Sequence, residues 1–479
     1  MMSQSNRPYT LHADRLFSAN ESERAISREL YASIKDLPIV SPHGHTDPSW
    51  FADDTCFENA TQLLIIPDHY VFRMLYSQGI TLDELGIRRV DGVQTEADNL
   101  KIWRLFAKNY HLYHGTPSRM WMDFVLCEVF GFDIELNLDN ADTIYHAINQ
   151  TLQTDAFKPR ALLKRFNIEL IATTEGATDT LEHHAKLKGT GLESTVITTF
   201  RPDDVVDPSN PKFLANVQLM GQQTQENTES WAGYLNALKA RRAFFREHGA
   251  TATDHGHPTP FTADLSLGEC NALFNKILQR ASNEQDHELF RGQMLTEMAK
   301  MSVEDGMVMQ IHSGCFRNHN QPLFNAFGAD KGSDLPLATE FITNLRPLLN
   351  RFGNEKNLRI ILFTLDETTY SRELAPLAGH YPCLKLGPAW WFHDSPEGML
   401  RFRNQMTETG GFYNTVGFND DTRAFLSIPA RHDVARRIDC RFLAQLVCEH
   451  RMTEEHAFSL AHDLTYRLAK EGYENSLLS

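Results

Sequence analysis

No two cysteines in this chain are spaced as C-x-x-C. The seven present, Cys56, Cys127, Cys270, Cys315, Cys383, Cys440 and Cys448, are scattered and odd in number. That pattern argues against a disulfide framework and for reduced thiols in a cytoplasmic protein. Apolar runs are short. Met1 to Arg15 is polar without a signal-like core, and no segment reaches the ~20 apolar residues of a membrane span, so neither export nor membrane insertion is expected. Positive charge is scarce: 46 basic against 62 acidic residues leave a formal −16. This balance excludes nonspecific binding to nucleic acid or anionic membranes and favours solubility, although a local group of arginines can still hold a small anion. Also missing are a G-x-G-x-x-G opening a helix, any internal repeat and any Pro/Gly-rich linker. The first absence weakens the case for a dinucleotide-binding open sheet. The others leave no obvious break in a chain that is long for one domain.

What is present is a rhythm. With 42% hydrophobic and 23% charged residues, a large core is available. A helix is expected over 18–36, capped by Ser18 or Asn20, with Ile26, Leu30 and Ile34 on one face. Short apolar, β-rich runs then recur at 37–42, Ile168–Thr174, Thr195–Phe200, Ala250–Asp254, Met307–His312, Leu358–Thr364, Tyr381–Leu386 and Tyr413–Phe418, separated by helical stretches such as 212–248 and 267–304. Eight strands alternating with helices are what a (β/α)8 barrel requires. Residues 77–165 break the alternation with helical spacing only, and Trp103, Phe106, Trp121, Phe124 and Phe130 read as their packing. The expected fold is an α/β, distorted (β/α)8 TIM-like barrel with an inserted all-helical subdomain and extra helices. We divide it as 1–76 (helix and first strand), 77–165 (insertion) and 166–479 (remaining barrel and C-terminal helices).

In such a barrel the functional groups sit at the C-terminal strand ends. His43 and His45, in Ser41-Pro42-His43-Gly44-His45-Thr46-Asp47, follow the first strand. Alternation points both imidazoles the same way, as two ligands of one metal require. A lone H-x-H among 21 histidines is weak evidence. It gains weight from Asp421, past the eighth strand, because closure makes the first and eighth strands neighbours. Two His and one carboxylate with an open position is a catalytic rather than structural metal arrangement; the competing reading of Asp420-Asp421-Thr422-Arg423 is a turn and helix cap. Arg201, Asp254 and His312 fall at other strand ends, and Arg317 lies just past the fifth. Arg201, Arg317 and Arg423 at one mouth suggest an anionic substrate, since guanidinium forks match carboxylates. Trp390 and Trp391 line a sugar pocket or pack in the core. A second H-x-H, His255 and His257, lacks a firm apolar strand before it and precedes Pro258, so it reads as loop in a structural or supporting role. His319 and His393 read as solvated or hydrogen-bonded loop residues.

Taken together these segments resemble the uronate isomerases, a branch of the amidohydrolase superfamily. The matching stretches are His43-Gly44-His45, Asp68-His69-Tyr70 with Arg73-Met74-Leu75, Arg201-Pro202-Asp203, Asp254-His255, Gln310-Ile311-His312 with Arg317-Asn318, Trp390-Trp391-Phe392-His393-Asp394, and Asp421-Thr422-Arg423-Ala424-Phe425-Leu426-Ser427 leading to Arg431-His432. They run in family order over nearly the whole chain, and the family's fold is a distorted (β/α)8 barrel. The resemblance implies a metal-assisted aldose–ketose isomerase that interconverts D-glucuronate with D-fructuronate and D-galacturonate with D-tagaturonate through an enediol. It assigns His43, His45 and Asp421 to a divalent metal, with zinc expected. Asp421, Arg423, His312 and Tyr70 would be catalytic, Arg423 orienting Asp421; His69, Arg201, Arg317, Trp390 and Asp254 would bind the substrate. A uronic acid is the expected small-molecule partner, with no nucleic acid and no membrane, and a homo-oligomer is expected.

Three departures sit near the predicted mouth. Thr173-Thr174-Glu175-Gly176-Ala177 replaces Thr-Thr-Asp-Asp-Pro, Lys385 stands where glutamine is usual, and Thr364-Leu365-Asp366-Glu367-Thr368 differs from the family pattern. An extra lysine there would favour a more acidic sugar, phosphorylated or dicarboxylic. The rival activity is a single-metal hydrolase or decarboxylase of the amidohydrolase type, since the same ligands can activate water. Two bound metal equivalents together with ester or amide cleavage would mark a hydrolase. A sugar-acid-binding protein without turnover is the other alternative, against which the intact histidines, Asp421 and Arg423 argue.

Overall fold

The computed structural model describes residues 9–474; Met1–Pro8 of the polar N-terminal stretch lie outside that range. The first helix, Glu21–Ile34, starts where Asn20 caps it, the Oδ1 accepting from Ser22 N (2.9 Å) and Glu23 N (3.2 Å). Among the described residues nine strands follow in chain order: β1 Ile39–Ser41, β2 Ile168–Gly176, β3 Val196–Arg201, β4 Ala252–His255, β5 Val308–Ser313, β6 Cys315–Phe316, β7 Leu335–Pro336, β8 Ile360–Thr364 and β9 Leu384–Leu386. Seven form one parallel sheet in the order β1-β2-β3-β4-β5-β8-β9, while β6 and β7 pair separately as an antiparallel hairpin. Strands β5 and β8 are buried along their whole length, as expected where helices cover a parallel sheet.

Seven of the eight expected barrel strands are present in that sheet. The eighth, expected at Tyr413–Phe418, is not a regular strand. Phe412–Asn414 is a tight helical turn, Thr415 makes one isolated parallel bridge to Leu386, and Val416 N donates to Leu386 O (3.0 Å). Pairing stops at Gly417, whose φ of +69° is left-handed; a Cβ there would stand 2.7 Å from Leu464 O. The chain then runs on irregularly to Thr422, whose carbonyl accepts from His45 N (3.1 Å). On the other side of the same segment, Thr174 Oγ1 donates to Gly44 O (2.9 Å). The Val416–Leu386 and His45–Thr422 bonds join the two ends of the curled sheet without a full eighth ladder.

Between β1 and β2 the described chain is helical wherever it is regular, from Pro48–Asp53 to Pro159–Arg165. Trp121 is buried against the main barrel core, whereas Trp103 and Phe106 are buried in a second apolar cluster against which Phe124 and Phe130 pack partly buried. That cluster reaches Ile39, Ile168, Ile171 and Val196 on the first three strands and Phe425 beyond the eighth segment. Each large side chain so buried contributes roughly 1.5–3 kcal/mol of transfer free energy. The helices therefore press on the seam where the sheet's ends meet, and the fold concentrates packing where the site needs rigidity.

Candidate active site

The seam brings the expected metal ligands together. His43 Nε2 lies 3.5 Å and His45 Nε2 3.1 Å from Asp421 Oδ1, and ligand atoms of all three residues fall within 4.8 Å of one another. The two imidazoles stand nearly perpendicular (80°) with ring centres 5.3 Å apart. Gln310 sits 3.3 Å from His43 Nδ1, leaving Nε2 to face Asp421; Tyr473 in turn donates to Gln310 Oε1 (2.9 Å). Asp421 adopts φ = +39°, a left-handed conformation uncommon for a residue with a side chain. Trp390 donates its indole N–H to Asp421 Oδ2. Burial opposes the Asp421 charge, yet His43, His45 and the Trp390 N–H outweigh it and hold the carboxyl far below the ordinary range. Burial also holds His45 below the usual imidazole range, against the pull of Asp421. Asp421 Oδ1 is buried and faces both imidazole Nε2 atoms. Two imidazoles and an ionised carboxylate converging on one point suit a divalent cation.

A cleft opens above this triad, lined by His43, His45, Asp421, His69, Tyr70, Arg201, His312, Arg317, Trp390 and Arg423 among others. Every candidate drawn from the sequence lines it except Asp254. That residue is 0% exposed and lies beneath the wall, its Oδ1 2.9 Å from His312 Nε2 and its Oδ2 3.3 Å from Arg201 Nη1. Burial opposes its charge as well, but His312, His43 and Arg201 keep the carboxyl ionised. Burial likewise works against the Arg201 charge, while Asp203 and Asp254 secure it. His69 also lines the cleft; burial drives it down to about 3, helped by Arg423, so it is neutral at physiological pH. Its ring stacks on Tyr70 with centres 4.7 Å apart. Burial raises the Tyr70 phenol far above its usual value, keeping it a proton donor.

Asp330 is a cleft residue with no signal in the sequence. It lines the cleft from the loop between β6 and β7, and Arg423 Nη2 bonds its Oδ2 at 2.8 Å. The Arg423 ion pair is thus with Asp330, while the groups hydrogen-bonded or ion-paired to Asp421 are the histidines and Trp390. Arg317 pairs with Asp334 (3.3 Å) from the same loop. Thr174 and Trp391 also reach the cleft. Lys385, expected at the mouth, is not among the lining residues; its Nζ donates to Tyr413 O (2.8 Å) and Asn414 Oδ1 (3.1 Å) in the eighth segment. Glu175 is turned away too, accepting from Thr198 Oγ1 on β3. His393 is hydrogen-bonded as expected, with Nε2 3.0 Å from Leu365 O. Among the described residues no helix is long and apolar enough to cross a membrane.

The sequence model of the glucuronate isomerase family matches residues 14–473. A uronate isomerase of Phenylobacterium zucineum is 60% identical over 468 residues, covering 98% of this chain and 97% of that protein. Another, from Xanthomonas campestris pv. campestris, is 58% identical over 98% of this chain and 99% of its own length. The crystal structure of glucuronate isomerase from Caulobacter crescentus superposes with a TM-score of 0.96 at 57% identity, covering 98% of this chain and 97% of that one. With the match running almost end to end and the barrel shared throughout, the chain belongs to the glucuronate (uronate) isomerase family.

Proposed function

We propose that this chain interconverts D-glucuronate with D-fructuronate and D-galacturonate with D-tagaturonate. The observation that carries the reading is the convergence of three arginines, Arg201, Arg317 and Arg423, on the cleft that holds His43, His45 and Asp421. Isomerisation of a uronate needs a cationic grip on its carboxylate, a group that moves a proton between C2 and C1, and stabilisation of the oxyanion of the enediol. Arg201 and Arg317 supply the grip. Asp254 holds Arg201 and His312 from beneath rather than meeting the sugar. Asp421 exchanges protons with the substrate, including a hydroxyl proton during ring opening, while Trp390 steers its carboxylate. Tyr70 and His312 polarise or protonate the sugar oxygens. As the C2 hydrogen leaves as a proton, its electron pair forms the C1–C2 double bond. Reprotonation at C1 and loss of the C2 hydroxyl proton then complete the ketose.

His43, His45 and Asp421 would hold the metal, with zinc best matched to two imidazoles and a carboxylate; when bound it supplies Lewis acidity at a sugar oxygen. We further infer a cytoplasmic location: the seven cysteines are free thiols, as a reducing compartment would leave them. The hydrolase alternative is not favoured by the relatives. The test is to incubate the purified protein with D-glucuronate and, separately, D-galacturonate and follow the sugars by NMR. Ketose signals growing from either are expected; their absence from both removes the proposal.

A further inference from the structure

Asp203, His255 and His257 form a second group of metal-ligating side chains, sharing no residue with the first. Their ligand atoms also lie within 4.8 Å of one another. His255, expected with His257 in a loop, is instead the last residue of β4, whose four positions are all buried. Asp203 opens the short helix Asp203–Val206 just past β3. Adjacent strands thus deliver a carboxylate and two imidazoles to one point. The histidines are 0% and 3% exposed, with rings at 87° and centres 6.0 Å apart. Neither lines the cleft described above.

Hydrogen bonding in this group is incomplete in a particular way. His255 Nε2 lies 3.0 Å from Thr253 Oγ1, which fixes the ring. Its Nδ1 has no partner, and neither nitrogen of His257 has one. Buried ring nitrogens are ordinarily matched, yet three stand unmatched beside an acid. Asp203 is anchored, its Oδ2 accepting from Arg201 Nε (2.8 Å) and both its oxygens facing Gly256 N at 3.1 Å. Gly256 is required for this approach, since a Cβ there would meet Asp203 Oδ2 at 2.8 Å and His312 Cε1 at 2.7 Å. One anionic and two neutral ligands, the imidazoles buried and the carboxylate oriented at the edge of the solvent, are what a borderline divalent ion takes, with an open position left for water.

We propose that Asp203, His255 and His257 bind a second divalent cation of the zinc class. The site stands one carboxylate away from Arg201, so an ion there draws on the charge that fixes this arginine at the cleft. It differs from a binuclear hydrolase centre because the two triads share no ligand.

The test is a zinc count on the full-length protein. Chelator-stripped protein is reloaded with zinc, freed of excess, and analysed by mass spectrometry of the metal, alongside His257→Gln, Asp203→Asn and a His43→Ala/His45→Ala variant. Two zinc ions per wild-type chain are expected, falling to one in each variant. One ion in the wild type that disappears in His257→Gln also supports this site, and places the failure at the first triad. One ion that survives His257→Gln overturns the proposal, as do two ions that both survive it. Should both the His257 and Asp203 variants fail to fold, cobalt titration of the His43→Ala/His45→Ala variant decides. Visible absorption saturating at one equivalent supports the site, and no absorption on adding cobalt sinks it. Neither count depends on sugar turnover, so failure of the isomerase reading would be seen separately.

Discussion

His45 Nε2 lies 3.1 Å from Asp421 Oδ1, although one follows the first strand and the other follows the last extended segment of the sheet. The His45 N–H to Thr422 carbonyl bond beside it holds the two ends in register. Asp421→Asn keeps the shape and removes the charge and the proton acceptor. Turnover of D-glucuronate should fall by about 10²–10⁴-fold, the range of a lost acid/base group, and the variant should retain less zinc after gel filtration. Unchanged turnover would remove Asp421 from the chemistry.

Arg317 reaches the cleft from the loop after β6 and is tied only loosely to Asp334, at 3.3 Å. A charged hydrogen bond to a substrate carboxylate contributes about 1.5–3 kcal/mol. Arg317→Met should therefore raise KM for uronates by about 10–100-fold while changing kcat far less. Steady-state kinetics with D-glucuronate check this. A drop confined to kcat would mean that Arg317 acts on the reacting carbons instead of the carboxylate.

Which parts of this site were legible in the sequence follows from simple periodicity. His43 and His45 could be paired because side chains alternate on an extended chain, and Asp421 could be joined to them by assuming closure of the sheet. Alternation also explains the miss at Lys385. Leu384 and Leu386 are buried while Lys385 between them is half-buried and turned to the eighth segment. Asp330 carried no local signal: Gly328-Ala329-Asp330-Lys331-Gly332 reads as a turn, and it reaches the cleft through a hairpin whose fold over the mouth is a tertiary event. The missing eighth strand has its cause in Gly417, where apolar patterning predicts a strand but left-handed backbone ends the pairing.

Arg431 links the helical segment to the barrel. It is 1% exposed, its guanidinium lies 3.6 Å from the Trp121 ring centre, and its Nη1 bonds Asp394 Oδ2 at 2.5 Å. Truncation leaves a buried acid unpaired, which typically costs about 3–5 kcal/mol. Arg431→Ala should lose that much in urea unfolding, and adding Asp394→Asn should recover part of it. A single-variant loss under about 1 kcal/mol would show that the pair does not hold this interface.

Glu175 offers a stability test independent of the chemistry. Burial pushes its carboxyl up to about 7, with the Thr173 and Thr198 hydroxyls opposing incompletely and Asp179 and Asp47 adding to the rise. The folded protein therefore keeps a proton that the unfolded chain releases near 4.5. Below pH 4.5 both states hold it and no penalty applies. As pH climbs toward 7 only the unfolded chain ionises, so stability falls, by about 3 kcal/mol over the window. Above 7 both states are charged and the loss is complete. Glu175→Gln cannot ionise and should escape it, while every other titrating group is common to both proteins and cancels. Urea unfolding of wild type and variant at pH 5 and pH 8 reads the difference. The variant should gain on the wild type by up to about 3 kcal/mol between the two pH values. An equal change in both proteins would mean that the folded state leaves this carboxyl solvated and its proton affinity ordinary.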